Sequence, residues 1–406
     1  MQDLRVRYPI AVMTVSIWQQ AHRRRTVAYD VAVVGGGIVG CATAFWLHRH
    51  DPSLRVAILD AGALGSDASG RNAGFVLLGT HKDYLTAIHD YGERTAHRLW
   101  QFTRENRRLI AELNGDAFGW REQGSLTVAG DKDEDDRLRR ALPYMRAAGI
   151  PAVYLGPSET MERLRARGFR GSLYCTSGAA VDPLRLVRHL ASQSAADVYT
   201  YHRVTDVASG QGGVSLKTER LNLRADSAVL ATGAYLPRIV PSLQRFVRPV
   251  RAQMLATHPA PDQFLASPVY SHDGYFYVRQ LENGSILAGG GRHRHRETEV
   301  GYEDATTPAV QADIERYLHT HFPWTTNLRV ESRWSGTMGF SPDHRPIIGA
   351  VPGCSDCLFA TGFTGHGMGF GVRMGQLLAD SLYLEEQPNA YDLFHVSRFE
   401  SRSPAA

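Results

Sequence analysis

The run Tyr29-Asp30-Val31-Ala32-Val33-Val34 leads directly into Gly35-Gly36-Gly37-Ile38-Val39-Gly40, and this junction constrains the fold more than any other stretch of the chain. An apolar, β-branched run of this kind suits a strand buried on both faces of a parallel sheet. The spacing Gly35-x-Gly37-x-x-Gly40 then allows a tight turn, close approach of the backbone to a pyrophosphate, and close packing of helix on strand. Periodicity is helical from Ile38 to His50, and a second apolar run, Arg55 to Leu59, ends at Asp60. Strand, turn, helix and strand predict a βαβ unit whose helix N-terminus attracts phosphate and whose carboxylate meets ribose hydroxyls. Asp60 disfavours a 2′-phosphate, and with it NADP.

At 406 residues, 43% hydrophobic and 21% charged, the chain has the composition of a globular protein and the length for two domains. Its net charge of +4 is small and its arginines are scattered, which argues against nucleic acid as a partner. Four cysteines, Cys41, Cys175, Cys354 and Cys357, are too few for a disulfide scaffold, so a reducing cytoplasm is expected. The apolar segment Tyr8 to Trp18 is short, and its basic cluster Arg23-Arg24-Arg25 follows it, whereas an export signal has its charge in front. No apolar run reaches the roughly 18 residues of a membrane span. Residues 1–26 are expected to precede the fold, with Met13 an alternative start.

Further along, Tyr91 to Leu113 and Asp131 to Ala147 are helical and charge-rich, with a strand over Gly124 to Ala129 between them. Asp182-Pro183 opens a helix to Ser192 as an acidic cap followed by proline. A three-stranded meander is expected over Tyr199–Val207, Val214–Thr218 and Leu221–Leu223, then a separate buried strand, Ser227 to Gly233. Turn signals at Asp273-Gly274 and Asn283-Gly284 place an antiparallel sheet between Val250 and Gly291. The cluster His293-Arg294-His295 reads as a solvated loop rather than a metal site, since no third ligand accompanies it.

Two later segments decide between nicotinamide and flavin. Ala68-Ser69-Gly70-Arg71-Asn72-Ala73-Gly74 is a loop dense in backbone donors beside the presumed nucleotide. Gly362-Phe363-Thr364-Gly365-His366-Gly367-Met368-Gly369-Phe370 precedes a helix expected from about Val372, and a helix N-terminus there suits the electron-rich edge of a reduced flavin. A nicotinamide enzyme needs no such late element.

With these motifs, and with Val181-Asp182-Pro183, Ala231-Thr232-Gly233, Trp334-Ser335-Gly336 and Ser341-Pro342-Asp343, the chain resembles the D-amino acid oxidase superfamily. Within it, it is similar to the glycine oxidase, sarcosine oxidase and γ-glutamylputrescine oxidoreductase-like branch. The resemblance implies an α/β fold, a Rossmann-like FAD-binding domain interleaved with an α+β substrate domain whose antiparallel sheet roofs the flavin. The expected division is 27–83, 176–245 and 333–385 for FAD, 84–175 and 246–332 for substrate, and 386–406 as a C-terminal tail. The implied reaction is oxidation of a C–N bond in an amine or amino acid by hydride transfer to flavin N5, giving an imine that hydrolyses. Oxygen or an electron-transfer partner then takes the electrons.

Gly35, Gly37, Ile38, Val39, Gly40, Asp60 and Ala61 are the expected FAD contacts of the first unit, and Ser69, Gly70, Arg71, Asn72, Ala73 and Gly74 those of the loop. Val204, Ala231, Thr232, Gly233, Gly336 and Asp343 follow, then Gly362, Thr364, Gly365, His366, Gly367 and Met368. Relatives that attach flavin covalently do so through a cysteine that matches Gly336 or a histidine that matches Asn72, so FAD is expected to be non-covalent. The glycine oxidase arginine that grips the substrate carboxylate matches Met338, and the sarcosine oxidase lysine matches Gly369. The catalytic candidates are therefore Arg71, His366, Tyr277 and Arg279, with Arg279 the expected replacement anchor because a guanidinium binds carboxylate in bidentate fashion. The competing readings are that Arg71 and His366 only orient flavin and that Tyr277 only packs the sheet. Loss of both cations also leaves open a flavoprotein that serves as an assembly subunit.

Overall fold

A computed structural model describes residues 25–210, 212–384 and 387–400. The extension expected over 1–26, with Met13, lies outside these apart from its last two residues. Arg25–Val34 (β1) is the centre of the first sheet, parallel to Val56–Leu59 (β2), which in turn is parallel to Asp197–Tyr199 (β3). On its other side β1 runs parallel to Leu221–Leu230 (β4), and the strand Cys354–Thr361 continues the parallel array beyond β4. Val31, Val33, Ala32 and Val34 are all buried because helices cover one face and a second apolar layer the other, as the unalternating sequence requires.

The segments Leu221–Leu223 and Ser227–Leu230 form one strand rather than two. The first half of β4 pairs antiparallel with Gly213–Thr218 and alternates buried with more exposed residues, whereas Ala228, Val229 and Leu230 are buried on both faces. Tyr199 also leaves the expected meander: it belongs to β3, where its hydroxyl lies 2.5 Å from that of Tyr29.

The helix Ile38–His50 (α1) covers β1 and β2 as expected. Pro183–Ser192 (α2) starts on Asp182, whose carboxylate accepts the Leu184 and Arg185 N–H groups at 3.0 Å. Gly367–Tyr383 (α3) begins five residues before the expected Val372. Glycine lowers helix propensity, but here it permits contact: a Cβ on Gly371 would stand 2.7 Å from the Ile38 side chain, and one on Gly375 2.4 Å from Ala42. Helix-on-helix packing thus outweighs local preference.

A second sheet of eight strands contains the expected antiparallel roof. Arg248–Thr257 (β5), Phe276–Gln280 (β6), Ile286–Gly290 (β7) and Val330–Phe340 (β8) lie in the order β8-β5-β7-β6, all antiparallel. Residues expected as a C-terminal tail are packed in place: Phe394 is fully buried and Arg398 pairs with Asp343 at 2.8 Å. No helix among the described residues is long and apolar enough to cross a membrane.

Candidate active site

At the C-terminal end of β1 the chain turns through Gly35, at φ +111°, where a Cβ would lie 2.5 Å from the Ala231 carbonyl oxygen. A Cβ on Gly40 would lie 1.9 Å from the Gly35 carbonyl oxygen, so only glycine lets α1 sit this close to the turn. Asp60 closes the turn from β2: its carboxylate accepts Gly36 N–H at 2.6 Å and Gly62 N–H at 2.7 Å. Burial pushes its carboxyl above the usual range, while these two donors pull it back. Ser69 Oγ accepts the Ile38 N–H at 2.9 Å, joining the Ala68–Gly74 loop to the helix start.

These groups bound a cavity of about 730 Å³. Gly35, Gly37, Ile38, Val39, Asp60 and Ala61 line one end, and Ser69, Asn72, Val204, Ala231, Thr232 and Gly233 its flank. Gly362, Gly365, Gly367 and Met368, around the N-terminus of α3, line it as well. A trough of this size bordered by two helix N-termini, with a carboxylate at the first, fits a dinucleotide carrying a flavin. Thr232 Oγ1 is buried against this space without a partner among the described residues, as a hydroxyl awaiting a ligand would be.

Four expected FAD contacts line neither this cavity nor the chamber below. Gly40, Gly70 and Gly74 act through close backbone approach: a Cβ on Gly70 would stand 2.2 Å from Gly65 O, and one on Gly74 2.2 Å from Val181 O. Asp343 is the correction of substance. Its carboxylate is taken by Arg345 and Arg398, each at 2.8 Å, and these cations hold it below the usual carboxylate range despite burial. It anchors the C-terminal segment, not the cofactor.

A smaller chamber of about 130 Å³ adjoins the trough, sharing Ala68, Asn72, Met338, Gly365 and Met368 with it. Phe75, Leu77, Met254, Tyr270 and Tyr277 form its apolar wall, and Arg71, Ala73, Gly336, Thr364 and His366 its remaining border with the expected set. Tyr277 lies flat because its cross-strand neighbour is Gly289, where a Cβ would overlap the ring at 2.4 Å. Burial pushes the Tyr277 phenol up to about 12. His366 Nδ1 has no partner among the described residues, and burial holds the imidazole down to about 4, aided by the nearby charge of Arg292. It is therefore neutral at physiological pH.

The arginines divide differently from expectation. Arg71 borders the chamber, but its guanidinium is committed to Ser66 O at 2.6 Å, Asp304 at 2.6 Å and Ser335 O at 3.0 Å. Arg279 does not reach the chamber: its Nη1 donates to Ala73 O and Val181 O, both at 2.8 Å. It shares a strand face with Tyr277 but lies two residues, about 7 Å, further along. The second arginine that borders the chamber is Arg292, together with His81, Tyr275 and Phe340. Its guanidinium carbon lies 5.0 Å from the Tyr275 ring centre and 4.7 Å from that of Phe340, and it makes no ion pair among the described residues. Burial lowers its pKa. No motif in the sequence marks Arg292; the signal beside it is Gly290-Gly291, whose φ values of +134° and +76° turn the chain at the end of β7.

A family model described as FAD dependent oxidoreductase matches residues 30–381, and the chain belongs to that family, the DAO group. It is 28% identical over 387 residues to the glycine oxidase of Geobacillus kaustophilus, covering 91% of this chain and 96% of that one. It is 24% identical over 377 residues to the gamma-glutamylputrescine oxidoreductase of Escherichia coli, covering 88% and 84%. Among solved structures, the Geobacillus glycine oxidase superimposes with a TM-score of 0.78 at 24% identity over 90% of this chain and 98% of that one. L-proline dehydrogenase from P. horikoshii gives 0.78 at 20% identity over 93% and 99%. The protein is an FAD-dependent oxidoreductase with the fold of these enzymes.

Proposed function

We propose that this chain oxidises the C–N bond of a small amine that also bears a carboxylate, with the carboxylate on Arg292 and the amine beside the trough. The observation that carries the reading is Arg292: a guanidinium without an acidic partner among the described residues, flanked by two aromatic rings, at the border of a largely apolar chamber whose carboxylate, Asp273, is paired with Arg137. Its aromatic neighbours limit its rotation and so pre-organise a bidentate contact. Met338, where the glycine oxidase arginine is absent by resemblance, borders the same chamber, so Arg292 supplies the cation from another element. FAD, when bound, supplies an acceptor for two electrons delivered as hydride. Gly35, Gly37, Asp60 and the Ser69 loop would hold its nucleotide end, and the N-terminus of α3 its ring. No cysteine lines either cavity, and Gly336 and Asn72 stand at the attachment positions, which supports non-covalent binding. Acid precipitation is expected to release all flavin into the supernatant.

Neither His366, held down to about 4, nor Tyr277, pushed up to about 12, changes charge between pH 6 and 9. Neither side chain is therefore a base that switches on in this range, and the substrate is expected to react as free amine. Anaerobic flavin reduction by glycine, N-methylated glycine or D-amino acids is expected to speed up with pH until the amine's own pKa is reached. Arg292→Leu is expected to weaken substrate binding by about 10- to 100-fold, the loss of a charge-assisted pair. If no amine bleaches the flavin, the assembly-subunit reading gains instead; if amines bleach it equally in Arg292→Leu, the anchor lies elsewhere. Mixing reduced enzyme with air then separates oxygen from a dedicated acceptor.

A further inference from the structure

A third cavity, of about 540 Å³, opens on the far side of Arg292. It shares His81, Tyr275, Arg292 and Phe340 with the substrate chamber, so those four residues border both spaces. Lys82, Arg245, Arg248 and Arg296 also border it, with Glu299 as its acidic side chain. Glu299 brings no free charge: its carboxylate is paired with Arg251 at 2.9 and 3.0 Å and accepts from Gln253 and Thr307. Lys82 is likewise compensated by Asp90. Arg245, Arg248, Arg292 and Arg296 make no ion pair among the described residues; Arg245 stacks on Phe246 and Arg296 donates to Tyr275 Oη at 2.9 Å. A cleft whose uncompensated charges share one sign concentrates anions of the opposite sign, and guanidinium groups match carboxylate geometry.

We propose that this vestibule is a distal anion subsite, and that the substrate is an amine with two carboxylates: one on Arg292 beside the reacting carbon, the other held by Arg248 and Arg296. The inference rests on Arg292 being the proximal anchor. Among the described residues no carboxylate pairs with Arg245, Arg248, Arg292 or Arg296, and Arg292 borders both spaces. A substrate with a single carboxylate leaves the vestibule cations to solvent, whereas a dicarboxylate extending past Arg292 engages the cations of both spaces. Electrons and atoms at the reacting C–N bond are unchanged by the second carboxylate, whose role is binding.

The test uses the flavin-loaded enzyme and the shift in flavin absorbance as a binding readout. Dicarboxylates from succinate to adipate are titrated, each against the monocarboxylate of equal carbon count. At one chain length or more the dicarboxylate is expected to bind at least about tenfold more tightly, the factor given by about 1.4 kcal/mol. In the Arg248→Gln, Arg296→Gln double variant the ratio is expected to fall towards one, with flavin content and melting temperature measured alongside. The same preference is expected in anaerobic reduction by amino dicarboxylates over amino monocarboxylates. Equal binding of both series at every length overturns the proposal, as does a ratio that survives in the folded double variant. Should that variant fail to fold, the wild-type series still decides. Failure of the proposed function looks different: no amine reduces the flavin and no carboxylate perturbs it.

Discussion

The nucleotide trough and the roofed chamber are built on opposite principles. In the trough, backbone does the work: Gly35 and Gly40 admit no Cβ, and Asp60 engages the turn through two peptide N–H groups. In the chamber, side chains do it: Phe75, Tyr270, Tyr277, His366 and Arg292 project from five separate segments, and their positions depend on register and turn geometry. A site made of backbone tolerates almost no substitution but hardly varies. A site made of side chains can be re-cut for another substrate while the scaffold stands.

The sharpest way to break that contrast is Gly40→Val. A Cβ would stand 1.9 Å from the Gly35 oxygen, and the displaced helix is the one that closes the trough. A cost of about 3 kcal/mol or more is expected from overpacking, with flavin absent from the purified protein. Wild-type flavin absorbance and melting temperature in this variant would show that the turn is less rigid than its contacts imply.

That same contrast explains what could be read from residues alone. The Gly turn, α1 and Asp60 are contiguous or nearly so, and their spacing is dictated by close contact, so the sequence carries them openly. The buried strand β1 was equally plain, since a run without alternation has few other uses. The limit was reached where distant elements decide. The strand β4 looked like two because its burial pattern changes halfway, when its neighbour changes from Gly213–Thr218 to Cys354–Thr361. The start of α3 was hidden because its glycines are poor helix formers whose benefit lies in contact with α1, some 330 residues earlier in the chain. On the roof, strand parity places Tyr277 and Arg279 on one face, but parity cannot say how far along the strand the chamber extends. Arg292 follows a glycine pair that redirects the chain, and no periodicity reports that.

Arg279 and Arg292 therefore make a matched pair for the second prediction. Arg279→Leu strands the Ala73 and Val181 carbonyls in a buried setting and is expected to cost about 2–4 kcal/mol. Arg292→Leu removes a guanidinium that makes no ion pair among the described residues and is expected to leave stability nearly unchanged while substrate affinity falls. Chemical denaturation of both variants beside a carboxylate titration reads this directly. A stable Arg279→Leu with lost carboxylate binding would reverse the two roles.

The smallest effect is expected where trough and roof are joined, at Val181-Asp182-Pro183. Val181 N–H donates to Gly74 O and its own carbonyl accepts Arg279, while the Asp182 N–H donates to Phe118 O and its carboxylate caps α2. The motif is thus a junction, and its acid serves twice: as a cap and as a negative charge near the partly desolvated Arg279, whose guanidinium burial pushes down to about 10. Asp182→Ala removes both and is expected to cost about 1–2 kcal/mol. Asp182→Asn keeps an oxygen for the cap but not the charge, so its cost isolates the electrostatic share, expected to be under about 1 kcal/mol at this half-exposed site. Flavin content and carboxylate affinity should be unmoved in both, because the junction touches neither cavity; a variant that loses flavin would mean that the trough depends on the roof for its shape and that the two regions are one device.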